Sequence, residues 1–148
     1  MKRIVIPGGS GFLGSALIDF LPADEWEITV LTRSPDPNAD DVTELAWDGD
    51  TVGDWAAALD GADAVVNLAG KSINTRFTTE NREKILASRV DSVGAVGAAI
   101  ERCRQPPPVW VQASAVGYYG DRGDEIVTEA SPPGEGFLAE VCQAWEAA

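Results

Sequence analysis

Short apolar runs alternate along the chain with longer stretches in which apolar residues recur every three or four positions. Five runs predict strands, at residues 2–9, 26–33, 42–48, 62–70 and 109–115. Four periodic stretches predict helices, at residues 12–21, 54–61, 79–103 and 137–148. Strands that alternate with helices predict a parallel sheet with right-handed crossovers, so the expected fold class is a doubly wound α/β sandwich.

The helical pattern also predicts which side chains are buried. On the first helix, the expected inward stripe is Phe12, Leu13, Ala16, Leu17, Phe20 and Leu21. On the long helix, the expected stripe is Leu86, Val90, Val93, Val96 and Ile100. Asp54 is the expected cap of the short helix at 54–61, and the prolines at 106–108 are expected to stop the long one.

Composition narrows the classes of partner. The chain has 148 residues, of which 45% are hydrophobic and 24% charged, which is typical of one globular domain. Its net charge of −13 argues against nucleic acid and anionic membranes as partners. The absence of histidine and the isolated positions of Cys103 and Cys142 predict no metal site. With no membrane-spanning run and no signal-peptide layout, the expected location is the cytoplasm.

A glycine-rich turn joins the first strand to the first helix. Residues 9–14 read GSGFLG, a G-x-G-x-x-G pattern in the strand-to-helix context that dinucleotide binding requires. Gly9 permits the tight turn, Gly11 lets a pyrophosphate approach the backbone, and Gly14 lets the helix lie close to the strand. The helix N-terminus then presents free amides to the anion. The candidate cofactor-binding residues of this loop are Gly8, Gly9, Ser10, Gly11, Phe12, Leu13 and Gly14.

The end of the second strand indicates which dinucleotide is bound. An NAD site usually has an acidic residue there for the ribose 2′-hydroxyl, whereas this chain has Arg33 followed by Ser34. The guanidinium suits a 2′-phosphate, to which it donates two charge-assisted hydrogen bonds, and Ser34 adds a donor. We therefore expect NADP rather than NAD. Asp48, which ends the third strand, either accepts a hydrogen bond from adenine or shapes a turn with Gly49, and the turn is favoured.

Several motifs together resemble a known family. They are "GGSGFLG" after the first strand, "NLAGKSINTRFT" after the fourth, "SRVDSV" on the long helix and "SAVGYYGDRG" after the fifth. In these motifs the chain resembles the atypical or extended short-chain dehydrogenase/reductases, and more closely their nucleoside-diphosphate-sugar epimerase-like group. The resemblance implies a Rossmann domain over residues 1–148, with the chain truncated before a C-terminal substrate lobe. It is also compatible with a homodimer that pairs through the long helices.

The resemblance implies further site residues. Leu68, Ala69 and Gly70 would line the path of the cofactor, and Ser114 would stand near the nicotinamide. Lys71 is the lysine best placed at a strand end, where it either contacts a phosphate or substrate anion or is solvated. Three arginines are instead expected to pair with neighbouring acids, namely Arg76, Arg82 and Arg89.

The acid/base pair of the resembled family is missing. That family uses a tyrosine with a lysine four residues later on a helix, where the ammonium lowers the phenol pKa. Here Phe137 and Val141 have this spacing on the last helix. Tyr118 and Arg122 also have it, but glycine and aspartate between them indicate a turn. The candidate catalytic residues are Ser114, Tyr118 and Tyr119, with one of the two tyrosines expected to serve only in packing.

Two functions follow from these residues. The first is an NADP-dependent oxidoreductase or epimerase-like enzyme that transfers hydride between the nicotinamide and a carbonyl or secondary alcohol of an unknown small molecule. The second is a non-catalytic NADP-binding redox sensor or scaffold, which the missing tyrosine–lysine pair favours. A purely structural fold is disfavoured because the glycine loop is intact and Arg33 accompanies it.

Overall fold

The computed structural model describes all 148 residues and contains one parallel sheet. Its strands are β1 (Lys2–Pro7), β2 (Trp26–Thr32), β3 (Thr43–Ala46), β4 (Ala64–Asn67) and β5 (Trp110–Gln112). The strand order is β3-β2-β1-β4-β5, so the chain starts in the middle and builds outward in both directions. The predicted doubly wound fold is confirmed. The order reverses between β1 and β4, which is where open α/β sheets form a binding crevice.

Helices cover both faces of this sheet. They are α1 (Phe12–Phe20), α2 (Thr79–Ile100) and α3 (Phe137–Ala147), with 3₁₀ turns at Asp54–Leu59 and Val116–Tyr119. The Thr78 hydroxyl caps α2 by accepting from the Asn81 amide at 3.2 Å. The predicted helix at 54–61 is only a 3₁₀ turn, and Gly53 rather than Asp54 occupies its cap position. None of the helices combines the length and apolarity needed to cross a membrane.

The larger core lies between the sheet, α2 and the first 3₁₀ turn. Its ten buried members are Val5, Leu31, Trp47, Trp55, Leu59, Ala62, Val65, Ala95, Val96 and Ala99. On α2, the inward face runs through Ile85, Ser92 and Val96, whereas Leu86 is 37% exposed beside a groove between α2 and α3. The predicted stripe was therefore wrong at Leu86. A polar serine interrupts the true stripe and hides it from the apolar pattern.

The smaller core lies under α1. It consists of Ile4, Ile6, Ile28 and Val30, against which Leu17, Ile18 and Leu21 pack. The predicted stripe of α1 was wrong for Phe12, Leu13 and Phe20, which are 88%, 62% and 81% exposed, and for Ala16, which is also exposed. Gly14 is the one fully buried residue of this helix, because α1 approaches the sheet at its backbone rather than through large side chains.

Candidate functional site

The turn between β1 and α1 depends on glycine at three positions. Gly8 has φ +77°, and a β-carbon there would lie 2.8 Å from the backbone of Ala69. At Gly9 a β-carbon would press on Ile6 at 3.0 Å. At Gly14 it would overlap the Gly9 carbonyl, so only glycine lets α1 begin this close to the strand. The left-handed conformation thus lies at Gly8, next to the position where the sequence suggested the tight turn.

The same turn carries a set of free amide donors. The first α1 hydrogen bond runs from the Ser15 amide to the Gly11 carbonyl at 2.9 Å. The preceding amides that donate to no group of the protein are those of Ser10, Phe12, Leu13 and Gly14. A β-carbon at Gly11 would meet only the Gly8 carbonyl, at 3.4 Å, so the backbone there is open to an approaching group. Four unsatisfied N–H groups at a helix N-terminus form a cradle for an anion.

A hydroxyl pair connects the glycine loop to the end of β2. Ser10 Oγ lies 3.1 Å from Thr32 Oγ1. Arg33, the next residue, is exposed and forms no ion pair or side-chain hydrogen bond. It lines an open cavity of about 680 Å³ together with Leu45, Ala46, Trp47, Asp48, Thr51, Gly53, Asp54 and Trp55. An unpaired guanidinium therefore stands beside a cavity near the anion cradle.

Several hydrogen bonds hold the residues at the back of this cavity. The indole N–H groups of Trp47 and Trp55 both donate to the Thr51 carbonyl, at 3.1 and 3.0 Å. Asp48 accepts from the amides of Asp50 and Thr51 and from the Thr51 hydroxyl. These bonds, with the Thr51 hydroxyl first among them, lower the pKa of Asp48 to about 2. Asp48 thus shapes the turn, which is the role that the sequence favoured, while also lining the cavity.

The segment after β4 is fastened by buried Asn67. Its side-chain oxygen accepts from the Ala69 amide at 3.1 Å. Its amide nitrogen donates to Gln112 Oε1 at 2.9 Å and to Ser92 Oγ at 3.3 Å. One side chain thus joins β4, β5 and α2, and shapes the start of the Leu68–Gly70 segment.

The next residues of this segment are held by α2. The Lys71 amide donates to Ser88 Oγ at 2.9 Å, and Arg89 donates to the Lys71 carbonyl at 3.0 Å. The Lys71 side chain forms no hydrogen bond or ion pair. Sequence reasoning missed Ser88, Ser92 and Gln112. For the two serines the signal was the polar positions of "SRVDS" within the long helix, and for Gln112 it was a polar residue at the end of a strand.

The expected pairing of three arginines with acids was wrong. The ion pairs of the chain are Lys84–Glu80, Arg104–Asp60 and Arg122–Glu125. Arg82 instead donates to the Phe77 carbonyl at 3.3 Å and lies over the Phe137 ring at 4.8 Å. Arg89 lies over the Trp145 ring at 5.0 Å, and Arg76 forms no ion pair.

Beyond β5, Ser114 and the two tyrosines contact other groups of the protein. The Ser114 hydroxyl donates to the Glu146 carboxylate on α3. Tyr118 and Tyr119 pack edge-to-face with ring centroids 5.2 Å apart, and both are partly buried. The two tyrosines thus contact each other, and the serine is bonded to an acid.

Arg122 stabilises this loop through hydrogen bonds to backbone carbonyls. It donates to the carbonyls of Tyr119, Pro132 and Pro133 at 3.0, 2.8 and 3.2 Å. It also lies 3.7 Å from Glu125. Its guanidinium is therefore committed to loop carbonyls and forms no hydrogen bond with the Tyr118 hydroxyl, so the alternative pair at four-residue spacing is not assembled.

The last helix places apolar groups where the resembled family has its acid/base pair. Phe137 packs against Phe77 at 5.3 Å and under Arg82. Val141 is buried, with 3% of its surface exposed. A lysine at that position would bury its ammonium group in the packing of α3, which is unfavourable without a partner.

The predicted cofactor residues converge at the carboxyl edge of the sheet. Gly8 touches Ala69, Ser10 meets Thr32, and the Leu68 amide donates to the Pro7 carbonyl at 2.8 Å. The end of β5 and the residue after it join this edge through Asn67, whose carbonyl accepts from the Ala113 amide at 3.1 Å and whose side chain donates to Gln112 Oε1 at 2.9 Å. The predicted binding residues are thus assembled, whereas the predicted catalytic residues form contacts with their own loop and α3.

Curated relatives match this chain over nearly its whole length. The chain is 36% identical over 148 residues to the epimerase family protein SDR39U1 homolog, chloroplastic, of Arabidopsis thaliana, covering 97% of this chain and 43% of that protein. It is 33% identical over 150 residues to human epimerase family protein SDR39U1, covering 99% and 48%. The chain thus spans about half the length of the curated relatives it matches.

Solved structures are similar over nearly the whole chain. Human epimerase family protein SDR39U1, crystallised with NADPH, has a TM-score of 0.82 and 34% identity over 99% of this chain and 48% of its own. The nucleoside-diphosphate sugar epimerase of Corynebacterium glutamicum has a TM-score of 0.74 and 36% identity, over 98% and 29%. A sequence model described as "NAD dependent epimerase/dehydratase family" matches residues 4–138. The chain belongs to the NAD dependent epimerase/dehydratase family.

Proposed function

We propose that this chain binds NADP and forms the cofactor-binding part of an oxidoreductase or epimerase-like enzyme. One observation carries the proposal: four amides, at Ser10 and Phe12–Gly14, and the nearby guanidinium of Arg33 all lack a partner within the protein. Backbone amides suit a pyrophosphate, and an unpaired guanidinium beside a cavity suits a 2′-phosphate. The NADPH in the human relative's crystal structure supports the same choice of dinucleotide.

Each part of the site has a distinct role in this proposal. The glycine turn binds the pyrophosphate, and the cavity lined by Trp47 and Asp48 receives the adenosine. Arg33 selects the 2′-phosphate, with Ser34 as an added donor. The segment from Leu68 to Lys71 forms the wall farther along. A bound nicotinamide supplies the hydride donor or acceptor, and the protein supplies binding and orientation.

Ser114 and one of the two tyrosines are proposed to orient a small carbonyl or alcohol substrate. This role requires the Ser114 hydroxyl to exchange Glu146 for the substrate, which an exposed hydrogen bond permits. Glu146 is exposed on α3 and is the carboxylate nearest this serine. The relatives are about twice as long as this chain, and we propose that the acid/base group lies in the additional length.

A second candidate is a cofactor-binding module without turnover. Buried Val141, and Phe137 packed edge-to-face on Phe77, favour it, because they replace an ammonium and a phenol with groups that neither give nor accept a proton. NADPH binding without oxidation of NADPH by any of a panel of carbonyls would favour this module over the enzyme.

Titration with NADPH and NADH tests the shared part of both candidates. Nucleotide fluorescence and calorimetry should give saturable binding, with NADPH tighter than NADH. The fragment 2′,5′-ADP should compete, since it carries both phosphates of the adenosine end. If neither dinucleotide saturates the protein, both cofactor proposals fail and only the fold remains.

A further inference from the structure

Arg89 is a partly buried cation that has no acidic partner. It lies in the middle of α2 and donates through one Nη to the carbonyls of Lys71 and Ile85, both at 3.0 Å. Its guanidinium lies 5.0 Å from the centre of the Trp145 ring. Burial lowers the pKa of Arg89 below its ordinary value. Withdrawing a charge from water without a carboxylate partner is unfavourable, so the position needs an explanation beyond packing.

The guanidinium lies directly against Gly70. A β-carbon at Gly70 would be 3.3 Å from the Arg89 Cζ and 3.4 and 3.5 Å from its two terminal nitrogens. The neighbouring Lys71 has its amide bonded to Ser88 and its carbonyl bonded to Arg89. Two consecutive residues of α2, Ser88 and Arg89, thus bind both backbone polar groups of Lys71.

The fastened segment forms one side of the crevice. At its start, the amide of Ala69 is held by Asn67, and its backbone touches Gly8 of the glycine loop. At its end, Arg89 holds Lys71. Without this second attachment, the segment would be fixed next to the pyrophosphate cradle but free to move farther from it.

We propose that Arg89 is a positioning residue that holds Gly70 and Lys71 as the wall of the cofactor groove beyond the pyrophosphate. The inference rests on the proposed function and refines it. The two arginines then act at different ends of the ligand, with Arg33 at the adenosine end and Arg89 at the opposite end. Removing the Arg89 contacts therefore affects the whole dinucleotide more than its adenosine fragment.

The test compares Arg89→Met and Arg89→Lys with wild type and with Arg102→Met. Arg102 is an exposed arginine just past α2 whose side chain makes no hydrogen bond, so it controls for the loss of one charge. Dissociation constants are measured for NADPH and for 2′,5′-ADP. Arg89→Met should weaken NADPH about tenfold while 2′,5′-ADP changes less than about twofold. Arg89→Lys should recover part of the loss.

Hydrogen exchange of the Lys71 amide in the free protein supplies a readout that does not depend on a ligand. It should become faster in Arg89→Met, while the exchange of the β1 amides stays unchanged. Equal NADPH affinity in wild type and variant would overturn the inference, as would parallel losses for NADPH and 2′,5′-ADP, which signify general damage. Wild-type protein that binds neither ligand would instead overturn the proposed function itself, and this inference with it.

Gly70→Ala provides a second variant should Arg89→Met fail to fold. Its methyl group would press on the guanidinium from the loop side while leaving α2 intact. It should weaken NADPH binding selectively, in the same sense as Arg89→Met and to a smaller extent. Unchanged NADPH affinity, or equal weakening of NADPH and 2′,5′-ADP, would overturn the inference here too.

Discussion

The two ends of the candidate site differ in whether their polar donors have partners within the protein. At the glycine turn, four amides and the Arg33 guanidinium have no partner within the protein. Beyond β5, Ser114 is bonded to Glu146 and Arg122 to three carbonyls. Unsatisfied donors next to a cavity indicate a surface prepared for a ligand, whereas satisfied donors indicate a loop that stabilises itself.

This difference separates cofactor binding from proton transfer. The binding end relies on backbone geometry that only glycine permits, so its sequence signature is strict. The other end requires two side chains on one helical face, and here that face carries Phe137 and Val141. A chain can therefore keep the first property while lacking the usual form of the second.

The largest expected effect comes from breaking the binding end at its backbone. Gly14→Ala should destabilise the protein by about 3 kcal/mol and abolish nucleotide binding, because the new methyl group overlaps the Gly9 carbonyl. Urea denaturation and NADPH titration measure the two losses. The matched control is Gly94→Ala on α2, where a β-carbon meets nothing within 4 Å and helix propensity improves. Similar stability in the two variants would contradict the close contact at Gly14.

A smaller effect is expected from reversing the charge at the cavity. Arg33→Asp should weaken NADPH about a hundredfold and leave NADH within about threefold, because only the 2′-phosphate loses its two charge-assisted bonds. Parallel titrations measure the ratio of the two affinities. Arg102→Asp makes the same change in net charge at an exposed site. A preference for NADPH that persists in Arg33→Asp would refute this assignment.

The turn behind the cavity should make stability depend on pH only in acid. The pKa of Asp48 is lowered from 3.8 to about 2 by its bonds to Thr51 and Asp50, so its stabilising contribution is present above pH 3.8 and is lost as pH falls toward 2. Asp48→Asn should remove this part of the acid dependence of the urea midpoint. Asp50→Asn is the control, since its carboxylate accepts no hydrogen bond. Identical acid profiles for wild type and Asp48→Asn would contradict the prediction.

The smallest effect is expected at the other end of the site, beyond β5. Ser114→Ala should change the free energy of unfolding by less than about 0.5 kcal/mol and NADPH affinity by less than about twofold, because its hydroxyl bonds an exposed carboxylate. Glu146→Gln should behave in the same way. A tenfold loss of NADPH affinity in Ser114→Ala would show that the hydroxyl leaves Glu146 to contact the cofactor.

Sequence reasoning succeeded where local chemistry is specific. The strand-turn-helix context around GSGFLG predicted the free amides at the start of α1, whereas the role of Arg33 toward a 2′-phosphate stays a prediction. It failed where the outcome depends on neighbours. Phe12 and Phe20 fit an apolar stripe, but α1 contacts the sheet through Gly14 and a narrow set of side chains. Arg89 was expected to pair with an acid, but it holds the Gly70–Lys71 segment.

The sequence by itself determined the alternation of strands and helices, the glycine turn and the absence of a tyrosine–lysine pair on the last helix. These properties are local, since they depend on periodicity and on the backbone freedom of single residues. Only the tertiary structure decided which polar groups remain free for a ligand. Whether an amide, a guanidinium or a hydroxyl has a partner depends on residues far away in the chain, as Ser114 and Glu146 illustrate. The sequence pattern does not show which of these distant residues are close in space.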